Sequence, residues 1–472
     1  MSARLFAVAA GTEELLRALL VAHLDRIRTR GDLPPLARYC HDAATGTTGP
    51  YRVAFAVESY TELEKQLAQV CAGEVERIPA ELATRRPPLV FVFAGQGAQW
   101  DGMGRELLAT EPVFRDTMHR CDRLVREFAG FSVVEQLGLP PEAARLDELD
   151  VLQPTMVSLQ IALTALWRSW GVTPDAVVGH SMGEIAAAHT AGALTLRDAV
   201  MIACRRSALL RRIAGKGALA TTELSPAEAQ TVAEASGGKI TVAGENSPRS
   251  TVLAGDARSL AELVDELGRR DVYCRVIKAT VASHSPYVEE LREDLHTALR
   301  SLEPTATRVP MYSTVTSEPV PGTDLGAAYW MRNLREPVRL AAAVENLFAA
   351  GHEVFVEVSA HPVLLSPVRQ TLESGERQGW LLPSGRRREE RRSMLSSLGT
   401  LYACGREPHW AALSPGGPAT ALTPYQAAVL DAVRLPRPVP ASSSWQSPHN
   451  LSGSGRTDRP WRSRRQPYGP RP

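Results

Sequence analysis

Apolar and polar residues alternate along this chain in two rhythms, and the switches between them mark out its elements. Near the N-terminus Leu5-Phe6-Ala7-Val8 reads as a strand, Thr12 opens a helix to about Arg28, and Tyr51–Val57 is a second strand. Ser59 or Thr61 then caps a helix through Val70. These elements make residues 1–86 a small α/β domain. The joint Arg85-Arg86-Pro87-Pro88 leads into the wholly apolar strand Leu89–Phe93. From there to about Leu372 strands alternate with amphipathic helices, the order of an α/β domain built on a parallel sheet.

Residues 218–280 break that order. Strands at Ala218–Glu223, Ile240–Ala243, Ser250–Ala254 and Val272–Lys278, with helices starting near Ser225 and Ala257, run β-α-β-β-α-β. This is the ferredoxin-like pattern, read here as an inserted small subdomain. The large subdomain is then 89–217 and 281–372, followed by a segment at 373–415. After about Pro415 the regular signal fades and 416–472 are expected to be disordered. From residue 436 on, Pro, Ser and Gly accompany seven arginines and one aspartate, the composition of a solvated end or of a docking tail. The expected fold class is α/β, with a hydrolase-like parallel-sheet large subdomain, the inserted ferredoxin-like one, and the small α/β domain in front.

Composition narrows the class of function. A chain of 472 residues has length for two or three domains and a sizeable core. A formal net charge of +1 offers no footprint for nucleic acid or a membrane surface. Six cysteines with no C-x-x-C spacing read as isolated thiols of a reducing compartment rather than disulfides or a metal site. Met1-Ser2-Ala3-Arg4-Leu5 lacks the layout of a signal peptide. The most apolar stretches, Thr155–Trp170 and Ala186–Leu196, are broken by Gln160, Arg168 or His189 and read as too short to span a bilayer. A cytoplasmic protein is expected.

Candidate chemistry centres on Gly179-His180-Ser181-Met182-Gly183-Glu184, which follows the apolar run Ala176-Val177-Val178. Gly-x-Ser-x-Gly between a strand and a helix is the form of a nucleophile elbow, which lifts the serine hydroxyl out of the sheet. Three other features gather around it. The glycine-rich turn Phe93-Ala94-Gly95-Gln96-Gly97-Ala98-Gln99-Trp100 lacks the P-loop Lys-Ser/Thr, so it is no phosphate cradle. Its Gln96 amide and the Met182 N–H instead suit an oxyanion hole. Arg206, on the predicted helix Leu196–Ala214, carries a guanidinium that can grip a carboxylate bidentately, selecting an acyl group with a second, free carboxylate. His284, in Val281-Ala282-Ser283-His284-Ser285-Pro286, is the side chain whose pKa suits a general base for Ser181.

Phe93–Trp100, Gly179–Glu184, Arg206 in Cys204-Arg205-Arg206-Ser207, and Ala282-Ser283-His284 fall in an order and spacing that resemble the acyltransferase domains of modular type I polyketide synthases. These are relatives of malonyl-CoA:acyl-carrier-protein transacylases. Glu245-Asn246-Ser247-Pro248, the run Tyr329 to Val338, and Val356 to Pro362 match as well, so the resemblance covers about residues 1–410. Residues 1–86 resemble the linker domain between ketosynthase and acyltransferase. The resemblance implies ping-pong catalysis: Ser181 takes a dicarboxylic acyl group from CoA, with His284 as base, and passes it to the phosphopantetheine thiol of an acyl carrier protein. Gln96 and Met182 would hold the oxyanion and Arg206 the free carboxylate. Backbone carbonyls near Asn333–Glu336 would orient His284, and Asn246 is a further supporting residue. No tightly bound cofactor and no metal are implied; acyl-CoA is substrate, and the carrier protein sits on another chain, with ketosynthase or other synthase subunits as further partners.

For the acyl group, Ser283 stands where malonyl-selective relatives usually carry Phe, which favours methylmalonyl, while Val281 departs from the usual Tyr and leaves ethyl- or methoxymalonyl open. Leu149-Asp150-Val151-Leu152-Gln153 and Met182 also lean toward methylmalonyl. The chain carries neither a ketosynthase cysteine motif nor a carrier-protein Asp-Ser-Leu site, and past Gly405–Trp410 only Leu422-Thr423-Pro424-Tyr425-Gln426 echoes the usual ending. Those departures leave a discrete acyltransferase acting in trans, or a fragment of a split synthase. A serine acyl hydrolase and a catalytically idle fragment are the competing readings.

Overall fold

The computed structural model describes residues 3–413 apart from residues 30, 32, 76 and 278–280, so the expected tail at 416–472 lies outside the described residues. At the N-terminus β1 (Arg4–Ala10) pairs antiparallel with β2 (Tyr51–Val57), Phe6 opposite Phe55. Helix Glu13–Arg28 follows β1 because the Thr12 hydroxyl accepts the Leu15 N–H, and helix Tyr60–Cys71 is capped by Ser59, which accepts from Glu62. A helix the periodicity does not announce, Leu36–Thr45, adds Tyr39 to a core formed by Phe6, Leu16, Leu20 and Leu67.

The main core surrounds a five-stranded sheet. Its members are β3 (Leu89–Phe93) and β4 (Ala176–Gly179) and, after the four strands of the small subdomain, β9 (Met311–Tyr312), β10 (Val354–Val358) and β11 (Trp380–Pro383). The order is β11-β10-β3-β4-β9, every neighbouring pair parallel. All five residues of β3 and of β10 are buried, as expected of a parallel sheet covered on both faces. The edge strand β11 comes from within 373–415, so the sheet reaches past the boundary read at 372; its four residues are too few for a periodicity to register.

Helix Leu149–Ser169 packs between helices Pro112–Ala129 and Leu196–Arg211. The sequence reading of this segment as too short to cross a bilayer is corrected: the helix starts six residues before Thr155 and, at 21 residues, is long and apolar enough by length and composition. It lies in the protein core, with 89% of its most apolar stretch buried. Helix Leu196–Arg211 also ends three residues before the expected Ala214, in a turn toward Gly215 and Gly217.

The small sheet contains β5 (Ala218–Thr222), β6 (Ile240–Ser247), β7 (Ser250–Gly255) and β8 (Cys274–Ile277) in the order β6-β7-β5-β8, wholly antiparallel, with helices Pro226–Ala235 and Ala257–Arg269 between its strands. β6 runs four residues past Ala243 through the polar Gly244–Ser247. Backbone pairing holds this extension: the Val338 N–H donates to Ala243 O (3.0 Å) and the Glu245 N–H to Val338 O (2.8 Å).

Candidate active site

β4 ends at Gly179 and a helix begins at Gly183, so the chain reverses within three residues. The two glycines are there for want of space. A Cβ on Gly179 would fall 2.3 Å from the Glu184 nitrogen, and one on Gly183 would fall 2.2 Å from Phe93 O. Between them Ser181 adopts a left-handed backbone, φ 54°. Its carbonyl is held by the Asn333 amide at 3.2 Å, and the His180 N–H continues the β4 pairing by donating to Phe93 O at 2.8 Å. Among the described residues no acceptor meets the Met182 N–H, at the start of the helix.

His284 reaches Ser181 from the loop that follows the small sheet. Its Nε2 lies 2.7 Å from Ser181 Oγ, and its Nδ1 lies 2.8 Å from the Glu336 carbonyl oxygen. A carbonyl only accepts, so Nδ1 carries the proton and Nε2 is free to accept from the serine hydroxyl. The His284 N–H donates to Leu334 O at 2.9 Å, fixing a second left-handed backbone, φ 59°. Burial first, and then the positive charge of Arg206, push this imidazole down to about 3. The Glu336 carboxylate is turned elsewhere, to Arg332 Nε at 2.7 Å, so its carbonyl alone serves His284.

Arg206 is 1% exposed. Its Nη1 donates to Gln153 Oε1 at 2.6 Å, its Nη2 reaches Ser181 Oγ at 3.3 Å, and its Nε has no partner among the described residues. Burial pulls its pKa to about 10, leaving it charged near neutrality. Among the described residues no carboxylate pairs with it, which is costly for a buried cation.

These groups line a cavity of about 420 Å³. Ser181, His284, Arg206 and Gln153 lie along it with Gln96, Met182 and Ser283, while Leu219, Thr221 and Val252 of the small sheet face them, and Val363 and Leu364 close another side. Gln96 is exposed on the wall, in a loop anchored by the buried Gln160, whose amide donates to Ala94 O at 2.6 Å. Asn246 also lines the cavity and accepts from His180 Nε2 at 2.8 Å. Asn333 and Glu336 stand behind the reacting pair rather than on the wall. Val281 is not brought to the site: it is buried in the main core and forms no part of the cavity lining.

Gln153 as the partner of Arg206, Gln160 as the anchor of the Gln96 loop, and Glu184 are residues that sequence reasoning did not single out for these contacts. One signal was present. Gln153 and Gln160 are two amide side chains seven apart, hence on one face, in a largely apolar helix.

Residues 90–405 match the acyl transferase domain family. The mycocerosic acid synthase-like polyketide synthase of Mycobacterium tuberculosis is 39% identical over 88% of this chain, which spans 20% of that synthase. The acyltransferase domain from module 8 of the salinomycin polyketide synthase superposes with a TM-score of 0.79 at 34% identity, over 87% of this chain and 98% of that one. The acyltransferase domain of SpnD, solved in complex with 2-(pent-4-yn-1-yl)malonyl, gives a TM-score of 0.75 at 25% identity, over 88% and 98%. With a serine–histidine pair on an elbow, a buried guanidinium beside it and these likenesses across most of its length, the chain belongs to the acyl transferase domain family, among the acyltransferase domains of polyketide synthases.

Proposed function

We propose that this domain moves a dicarboxylic acyl unit, methylmalonyl in preference to malonyl, from CoA to the phosphopantetheine thiol of an acyl carrier protein in polyketide synthesis. The observation that carries this reading is Arg206: a buried, charged guanidinium with no carboxylate partner among the described residues, 3.3 Å from the nucleophile's oxygen. A monoacid would leave it unpaired, whereas the free carboxylate of a malonyl-type group completes it. The malonyl-derived group bound to the SpnD relative supports the same substrate class.

The chemistry follows from the geometry. Ser181 Oγ attacks the thioester carbon as its proton passes to His284 Nε2, and the imidazolium is steadied through Nδ1 by the Glu336 carbonyl. The oxyanion is taken up by the Met182 N–H and the Gln96 amide. Collapse breaks the C–S bond, CoA leaves with the proton from His284, and an acyl-Ser181 ester remains. The carrier thiol then gives its proton to His284 and attacks the ester; Ser181 Oγ regains the proton as the acyl thioester departs. Ser283, small and on the cavity wall, leaves space for an α-methyl group; one such group is worth about 1–3 kcal/mol, so the preference is graded.

Intact mass spectrometry after incubation with malonyl-, methylmalonyl- and acetyl-CoA tests this. The expected result is an adduct from the dicarboxylic thioesters, greatest with methylmalonyl, absent in Ser181→Ala and discharged by added carrier protein. Arg206→Ala should erase the advantage of the dicarboxylic substrates over acetyl-CoA. An adduct that survives in Ser181→Ala, or none from any dicarboxylic thioester, would overturn the assignment.

A further inference from the structure

Glu184 is wholly buried, and no Lys or Arg pairs with its carboxylate among the described residues. Its carboxyl group is instead surrounded by hydrogen-bonding groups from distant parts of the chain. Oε1 lies 2.5 Å from the Thr314 N–H nitrogen and 2.8 Å from the Thr314 hydroxyl; Oε2 lies 2.6 Å from the Tyr329 hydroxyl and 3.0 Å from Asn333 Nδ2. Tyr329 and Asn333 sit one turn apart on helix Ala327–Arg335. The end of that same helix and the residue after it supply the two carbonyls, Leu334 O and Glu336 O, that hold His284. Asn333 Nδ2 also donates to Ser181 O, and Thr314 Oγ1 reaches Gly179 O.

We propose that Glu184 is a positioning residue that locks the helix following the nucleophile to the helix whose end holds the general base, and so sets the Ser181–His284 distance. The inference rests on Ser181 and His284 being the reacting pair. In a serine triad a carboxylate orients the imidazole directly; here a carboxylate does so at one remove, through the segment whose carbonyls grip the ring. The role demands an acid rather than an amide. Each oxygen faces an obligatory donor, the Thr314 N–H on one side and Asn333 Nδ2 on the other. A glutamine presents one oxygen and one NH2, so it meets one of those donors with another donor. Turning the Asn333 amide over would satisfy the glutamine but withdraw the donor from Ser181 O.

The test uses the full chain and two readouts of Ser181: labelling by diisopropyl fluorophosphate, and single-turnover acylation by methylmalonyl-CoA across concentrations. Glu184→Gln is expected to slow both by about tenfold to a hundredfold, with the half-saturating methylmalonyl-CoA concentration unchanged because Arg206 and Gln153 are untouched. Asn333→Ala should slow them similarly and add no further loss in the Glu184→Gln background. Losses that multiply, wild-type rates in the variants, or a changed half-saturation with an unchanged rate would each overturn the proposal. A wild-type chain that neither reagent labels at Ser181 would instead strike at the reading of Ser181 as nucleophile. If Glu184→Gln does not fold, Tyr329→Phe and Asn333→Ala carry the same comparison: slowed labelling at unchanged half-saturation supports the role, and wild-type rates overturn it.

Discussion

Ser181 and His284 both hold a left-handed backbone, a conformation costing a side-chain-bearing residue about 1–3 kcal/mol. In each case the neighbouring contacts come from the same short stretch, residues 333–336, so the strain is held by one support. The state of His284 has a consequence for pH dependence. Pushed down to about 3 by burial and by Arg206, the imidazole is neutral, the form a base needs, throughout the physiological range. kcat/KM, which reports the free enzyme, should therefore stay flat from about pH 8 to about pH 5 instead of falling below the ordinary histidine value. A pH profile of acyl transfer with an inflection near 6.5 would show an imidazole titrating as an exposed one does. For stability the sign is fixed: the unfolded chain binds a proton at this histidine below its ordinary pKa while the folded chain does not. Acidification from 6.5 toward 3 therefore withdraws stability at His284.

At the scale of elements the elbow is the most constrained join in the molecule. Gly183→Ala would drive a Cβ into Phe93 O, a backbone atom at the end of β3 that cannot swing aside. A loss of about 3 kcal/mol is expected, read as a lowered urea midpoint, together with loss of the acyl adduct. Much of this region was legible in the sequence because the cause is local: glycine spacing, an apolar run, a helix-forming sequel. The same holds for β2, whose bounds match the reading residue for residue, and for the caps Thr12 and Ser59. What escaped has causes far along the chain. Gln153 meets Arg206 across 53 residues, and Glu184 meets its donors across 130 to 149. The polar end of β6 is a strand because β7 pairs with it on one side and Val338, 93 residues on from Glu245, on the other. Val281, singled out through the resemblance as a departure from the usual Tyr, is packed in the main core, because neighbours in sequence can turn to opposite sides.

Over the whole molecule, the N-terminal two-stranded sheet and the parallel-sheet part are joined by helix Glu390–Ala403, which lies against β1 and β2. At its start Arg391 pairs with Glu111 at 2.5 Å, both side chains nearly inaccessible, and also donates to Ala3 O. Arg391→Ala strands a buried carboxylate and should cost about 3–5 kcal/mol, whereas Arg391→Met combined with Glu111→Leu should recover most of it; unfolding by urea, followed through tryptophan fluorescence, distinguishes the two. The small subdomain is attached differently. It leaves the chain after Arg206 and returns before His284, and at its root a Cβ on Gly217 would lie 2.8 Å from the Ala282 side chain, so exit and re-entry are adjacent. Its strands contribute Leu219, Thr221, Ala243, Val252 and Ile277 to the cavity, yet Ser181, Arg206 and His284 all lie outside it. The small sheet thus forms one wall of the cavity while the reacting groups belong to another part of the chain. A substitution at Leu219, Thr221 or Val252 changes the shape of that wall and leaves Ser181, Arg206 and His284 on the elements that hold them.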